Sequence, residues 1–120
     1  VEEKHIARFD SLQVSESGGL LIRRLIASGD AKAALRTPHK IEVDFLVVPA
    51  GTQSRVLAGS DCREVFVALE GRPVVVWNDR PVEMQRRDVF SVEPSASRSI
   101  RADGNDRALL IRIRDLTNPA

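Results

Sequence analysis

Short runs in which apolar and polar residues alternate, about ten residues apart, constrain the fold of this chain more than any other feature. The runs cover residues 20–26, 41–47, 64–69, 73–77, 82–85, 88–92, 97–101 and 108–114. Turn-forming residues separate them, such as PAG at 49–51 and NDRP at 78–81. This spacing predicts roughly eight or nine short strands and an all-β sandwich or barrel. A single helical turn is expected over residues 31–35, with Asp30 as its cap and Pro38 as its stop.

The length of 120 residues suits one domain, and we expect a core over residues 9–115 with tails at 1–8 and 116–120. The formal charge is only +1, so the basic excess typical of a nucleic-acid-binding protein is missing. The sequence also has no apolar run of about 18 residues, the length that a membrane span requires. We therefore expect a domain that binds neither nucleic acid nor membrane.

Cysteine content and the first residues indicate the compartment. The single cysteine, Cys62, excludes an internal disulfide and a multi-cysteine zinc site. Glu2 and Glu3 stand where a secretory leader carries basic residues, so we expect a cytoplasmic protein. The aromatic residues Phe45 and Trp77 are expected to belong to the core.

Two segments carry a more specific pattern. The first is PAG at 49–51 followed by EVFVALEG at 64–71, and the second is RDVFSVEPSASR at 87–98. In their order and spacing these segments resemble the two signatures of the cupin superfamily, and the resemblance covers most of the chain. It implies a single cupin domain over residues 1–120, built as a double-stranded β-helix, or jelly-roll barrel, of the RmlC-like kind.

The metal-binding positions depart from the family pattern. The resemblance implies three histidines and one glutamate that hold a divalent cation at the mouth of the barrel. The first two histidines fall on Ala58 and Ser60, and a shift of one residue supplies no ligand either. The third falls on Arg98, or on Ser99 if Pro94 sets the alignment, and only Glu64 is kept. We therefore expect a pocket that is poor in metal ligands, with neither a metal ion nor a cofactor.

Arg98 is the substitution on which the functional hypotheses depend. Because Ile100 is expected to face the core, alternation along a strand places Arg98 on the same inward face. Three alternatives follow. Arg98 forms a static salt bridge with Glu64, or it binds a carboxylate or phosphate of a ligand, or it points outward.

The hypothesis that we favour is a small-molecule-binding barrel for an anionic or carbonyl-bearing ligand, with Arg98, Glu64, Ser60, Phe66 and Phe90 as ligand-binding residues. The alternative is a metal-independent enzyme of the isomerase, epimerase or cyclase type. In that case Glu64 is the catalytic acid or base and Arg98 anchors an oxyanion.

Other interpretations involve neighbouring residues. A relocated metal site would use Asp61, Cys62 and His39 together with the signature glutamate. The alternating acids in run 41–47, Glu42 and Asp44, are expected on the wet face of their strand, with a cavity-lining carboxylate pair as the alternative. The resemblance also implies a homodimer, formed through the apolar run 20–26.

Overall fold

The computed structural model describes residues 8–27, 35–36, 40–54, 62–94 and 96–116. Within these ranges the chain forms strands and one short 3-10 turn, Phe9–Ser11, and no α-helix. The strands are β1 (Val14–Ser17), β2 (Leu20–Ala27), β3 (Leu35–Arg36), β4 (Ile41–Val48), β5 (Arg63–Glu70), β6 (Pro73–Trp77), β7 (Arg80–Glu83), β8 (Val89–Val92), β9 (Arg98–Ala102) and β10 (Ala108–Asp115). The structure thus confirms the all-β prediction.

The strands form two sheets that enclose a common core. The larger sheet has the order β1-β2-β4-β10-β5-β8, with β3 added beside β2, and the smaller sheet has the order β7-β6-β9. Pairing is antiparallel except between β2 and β3. Strands that are distant in sequence, such as β4 and β10, lie side by side, as in a jelly roll.

Each of the eight predicted runs has its strand, although the bounds shift by a few residues. The short strands β1 and β3 were not predicted. The predicted helical turn is wrong at its last residue, because Leu35 lies in β3, and residues 31–34 are outside the described part of the chain. The predicted turn at 78–81 is shorter than expected. Asn78 and Asp79 alone form it, with φ of 48° and 64°, and β7 begins at Arg80.

The interior of the barrel has an apolar half and a charged half. The apolar half contains the buried side chains of Leu20, Ile22, Leu46, Val48, Phe66, Ala68, Val75, Met84, Val92, Ile100, Ala102, Ala108 and Leu110. Further along the same inner faces, β4 carries Glu42 and Asp44, and β10 carries Arg112 and Arg114. The expectation that Glu42 and Asp44 face water is therefore wrong, because Asp44 is fully buried and the Glu42 side chain is 17% exposed.

The connection between β5 and β6 requires a glycine. Gly71 has a φ of +73°, and a Cβ atom added to it would lie 2.4 Å from the carbonyl oxygen of Arg107. Only a residue without a side chain fits this close approach. Across the described ranges, no helix has the length and apolar character needed to cross a membrane.

Candidate functional site: a buried charge cluster

Seven charged side chains meet at one end of the barrel interior, on strands β2, β4, β5, β9 and β10. We call them the charge cluster: Arg24, Glu42, Asp44, Glu64, Arg98, Arg112 and Arg114. Four members form a floor from which solvent is nearly excluded, namely Asp44, Glu64, Arg98 and Arg112. The other three form a rim. The side chains of Arg24 and Arg114 are 28% exposed, so the cluster reaches the surface through the rim.

Arg98 points into the barrel and pairs with Glu64, as the alternation with Ile100 predicts. Its Nη1 donates a hydrogen bond to Oε1 of Glu64, and its Nη2 donates to the carbonyl oxygen of Glu93 at 3.2 Å. The outward alternative is wrong, since Arg98 is 1% exposed. The neighbouring Ser99 does not replace it, because the Ser99 hydroxyl instead accepts a hydrogen bond from Gln53 at 3.4 Å.

The second oxygen of Glu64 faces strand β10. Nε of Arg114 donates to Oε2 of Glu64 at 2.8 Å, and Nε of Arg112 lies 3.8 Å from the same oxygen. Burial disfavours the charged form of Arg114, but the hydrogen bond and the negative charge of Glu64 outweigh it, with smaller contributions from Cys62 and Glu42. The pKa of Arg114 is therefore raised above its ordinary value, and the guanidinium stays charged.

Asp44 connects the remaining arginines. Its Oδ1 accepts a hydrogen bond from Nε of Arg24 at 2.8 Å, and its Oδ2 accepts one from Nη2 of Arg112 at 2.8 Å. Glu42 lies between the two rim arginines, with Oε2 3.5 Å from Nη2 of Arg24 and 3.6 Å from Nη1 of Arg114. The ion pairs thus run without a break from β2 to β9.

Strand register explains why these side chains meet. Asp44 is directly opposite both Arg24 on β2 and Arg112 on β10, and Arg114 is directly opposite both Glu42 and Glu64. Opposite charges at directly facing positions attract across a sheet. The three arginines of β2 and β10 were missed in the sequence because apolar residues surround them, and their alternation with the acids becomes visible only once β2, β4 and β10 are aligned.

The cluster has more arginine side chains than carboxylates, and some of its N–H donors form no hydrogen bond. Counted over the described residues, four guanidinium groups face three carboxylates. Three buried N–H groups have no hydrogen-bond partner within the described structure: Nε of Arg98, Nε of Arg112 and the indole Nε1 of Trp77. Trp77 is directly opposite Arg98 in the β6–β9 pair, so two of these donors are on neighbouring residues.

The other predicted site residues take different places. Phe66 has no exposed surface and belongs to the apolar core. Phe90 is half-buried and meets the ring of Trp77 edge to face, at 6.1 Å between ring centroids. Both lie on the inner face, since Phe66 and Phe90 are directly paired in β5 and β8. Ser60 is outside the described residues, and contact of any of the three with a ligand stays a prediction.

The donor set does not suit the divalent cation that the family fold implies. Zinc, iron or manganese takes three or four N, O or S ligands. Here each carboxylate of the cluster already faces arginines, and the permanent cation of Arg98 occupies the expected histidine position. Among the residues that the structure describes, no three His, Cys, Asp or Glu side chains are grouped to hold a metal.

A relocated metal site remains a separate hypothesis. Asp61 and His39 lie outside the described residues, as do the alanine and serine at the two other histidine positions. Cys62 is described and half-buried, directly before β5, and it lies near enough to Arg114 to contribute to the raised pKa of that arginine. Elemental analysis of the purified protein tests this hypothesis directly.

No family model matches the sequence, and no curated protein matches it. Solved structures do match. An RmlC-like cupin from Shewanella frigidimarina is 16% identical with a TM-score of 0.72, and the match covers 96% of this chain and 93% of that one. A predicted oxalate decarboxylase from Thermotoga maritima is 16% identical with a TM-score of 0.73, over 92% of this chain and 98% of that one.

A third match is the DMSP lyase DddQ from Ruegeria pomeroyi, at 10% identity and a TM-score of 0.76, over 92% of this chain and 59% of that one. At these identities the matches show the fold and not the activity. They agree with the two antiparallel sheets and their jelly-roll connections. The chain therefore has the fold of the cupin superfamily.

Proposed function

We propose that this domain is a small-molecule-binding cupin barrel whose charge cluster takes an anionic or carbonyl-bearing ligand. One observation carries the proposal: the two buried arginines of the cluster, Arg98 and Arg112, each retain an Nε–H group without a hydrogen-bond partner in the described structure. A buried N–H without a partner costs about 1–3 kcal/mol, so an acceptor oxygen in this place is favoured.

The rim and the floor would play different parts in binding. Arg24 and Arg114 are partly exposed, so they meet an incoming anion first and attract it. Arg98 lies deeper, where low solvent access strengthens each hydrogen bond. Its planar guanidinium offers donors in a fixed geometry that suits a carboxylate better than a lysine ammonium does.

A panel of small acids tests the proposal. We expect acetate, propionate, lactate and inorganic phosphate to be discriminated by calorimetric titration, with at least one acid binding to the wild-type protein. Arg98→Lys keeps the positive charge but removes the Nε donor and the planar arrangement of guanidinium donors. This variant should bind the acid about tenfold or more weakly than the wild type does.

The matched control is Arg101→Lys, on the same strand, whose side chain is 34% exposed and pairs with Asp103 at 3.2 Å. That variant should bind as the wild type does. If no acid of the panel binds, or if both variants lose affinity equally, the proposal is wrong.

The second candidate is a metal-independent enzyme of the isomerase, epimerase or cyclase type. It is favoured by a fully buried carboxylate, Glu64, beside the cationic Arg98, and by fold neighbours that are named as a lyase and a predicted decarboxylase. Glu64→Gln separates the two candidates. Loss of turnover with retained ligand binding would favour the enzyme, whereas a ligand recovered chemically unchanged after long incubation with the wild type would favour the binding module.

A further inference from the structure

We infer that the ligand of the charge cluster is a 2-hydroxy acid, which carries a hydroxyl donor beside its carboxylate. This inference rests on the proposed function and narrows its ligand class. It comes from the unpaired atoms of the cluster, which are of two opposite kinds. Nε of Arg112 is a donor without an acceptor, and Oε2 of Glu42 is an acceptor without a donor, within the residues described.

Glu42 is the unusual member. Its Oε2 lies 3.5 Å from Arg24 and 3.6 Å from Arg114, which are ion-pair distances that are too long for good hydrogen bonds. That oxygen is nevertheless buried, so it lacks a hydrogen bond from the described residues. A donor supplied by a ligand would complete it.

Arg112 offers the complementary group. Its Nη2 is engaged by Asp44 at 2.8 Å, whereas its Nε lies 3.8 Å from Glu64 and donates to no described residue. Arg112 faces Asp44 across the β4–β10 pair, and Glu42 is two residues before Asp44 on the same face. Glu42 and Arg112 are therefore diagonal neighbours, roughly 7–8 Å apart at the backbone, and long side chains reach across that distance.

These two groups select between small acids. A simple carboxylate brings only acceptor oxygens, so it satisfies Arg112 but leaves Oε2 of Glu42 without a donor. A 2-hydroxy acid places its carboxylate toward Arg112 and its hydroxyl toward Oε2 of Glu42, so that both unpaired atoms gain a partner. A site with a buried acceptor rejects the analogue that lacks the hydroxyl, because that acceptor is then left unpaired.

Lactate and propionate, which differ only in the hydroxyl, form the matched pair of probes. Each enantiomer of lactate is titrated calorimetrically beside propionate into the wild-type protein. We expect one enantiomer to bind about ten- to a hundredfold more tightly than propionate. In Glu42→Met, which removes the acceptor at similar volume, that preference should disappear while propionate binding holds or increases.

Two further variants keep the test decisive. Glu42→Gln retains an acceptor oxygen without the charge, so this variant should still prefer lactate over propionate. It tests the inference even if the Glu42→Met variant does not fold. Glu70→Met removes an exposed glutamate whose ion pair with Arg107 is 3.8 Å long, and it should leave the preference unchanged.

Equal binding of lactate and propionate to the wild type, or loss of the preference in Glu42→Gln, would overturn the hydroxy-acid inference and leave the proposed function standing. Absence of binding for every acid of the panel would overturn the proposed function itself.

Discussion

Glu64 lies in the centre of the charge cluster without contact with solvent. Both of its carboxylate oxygens accept a hydrogen bond from an arginine, Oε1 from Arg98 and Oε2 from Arg114. Taking such charges out of water costs several kcal/mol for each ion, and the cost is offset only where geometry and hydrogen bonding are good. The net contribution of such a buried pair to stability is therefore much smaller than its electrostatic attraction.

Removing one member should be costly. Glu64→Gln leaves Arg98 and Arg114 facing a neutral amide, and we expect the free energy of unfolding to fall by about 3–5 kcal/mol. Urea denaturation of the variant and the wild type measures the difference.

The control lies on the same strand. Glu70→Gln breaks a pair with Arg107 in which both side chains are 57% exposed, and it should change stability by less than about 1 kcal/mol. Similar losses of unfolding free energy in the two variants would contradict the claim that burial makes the ion pairs of Glu64 costly to break.

At the scale of elements, β4 shows which part of the fold is readable in the sequence. Its alternation predicts the strand to within one residue of its observed end at Val48. The assignment of its faces is reversed, however. Phe45 was expected in the core, whereas the face with Glu42 and Asp44 is the inner one and Phe45 is only half-buried. A carboxylate is tolerated there because strands β2 and β10 supply arginines at the facing positions.

The β5–β6 turn allows a test of Gly71, the glycine that ends the first signature segment. Gly71→Ala introduces a Cβ 2.4 Å from the Arg107 carbonyl oxygen at a φ of +73°, so the turn must shift. We expect a loss of about 2–4 kcal/mol, combining backbone strain with overpacking. Thermal and urea unfolding measure it.

Gly104 is the matched control, since it has a φ of +83° but nothing within 4 Å of an added Cβ. Gly104→Ala should cost only the strain of the left-handed conformation, about 1–2 kcal/mol. Equal effects at the two glycines would show that the close approach to Arg107 is unimportant.

At the scale of the whole molecule, the outer face of the large sheet is apolar. Half-buried side chains of Val43, Phe45, Val67 and Ile111 occupy neighbouring strands on that face. The 3-10 turn covers part of it, because Phe9 packs edge to face on Phe45 at 5.1 Å between ring centroids. Within the run 20–26, the side chains of Leu20 and Ile22 are buried in the core.

The homodimer stays a prediction, and we place its interface on this outer face. A two-fold symmetric pair would bury the same apolar face on both copies. Ile111→Lys puts a charge at its centre, opposite Phe45 and Val67, and should convert a dimer to a monomer in sedimentation velocity. Gln85→Lys, at an exposed position outside the large sheet, should sediment as the wild type does. A wild-type protein that sediments as a monomer would show the prediction to be wrong.

Most strand positions, the all-β class and the inward direction of Arg98 follow from alternation and turn residues, which are local properties that short segments carry. The jelly-roll arrangement was implied by the resemblance of two segments to the cupin signatures. The charge cluster does not follow in the same way. Arg24, Asp44 and Arg112 are distant in the chain, and their pairing depends on which strands become neighbours and in which register. The order and register of the strands therefore decide that these three charged side chains form a buried network. Burying each charge is energetically acceptable only because an oppositely charged side chain faces it.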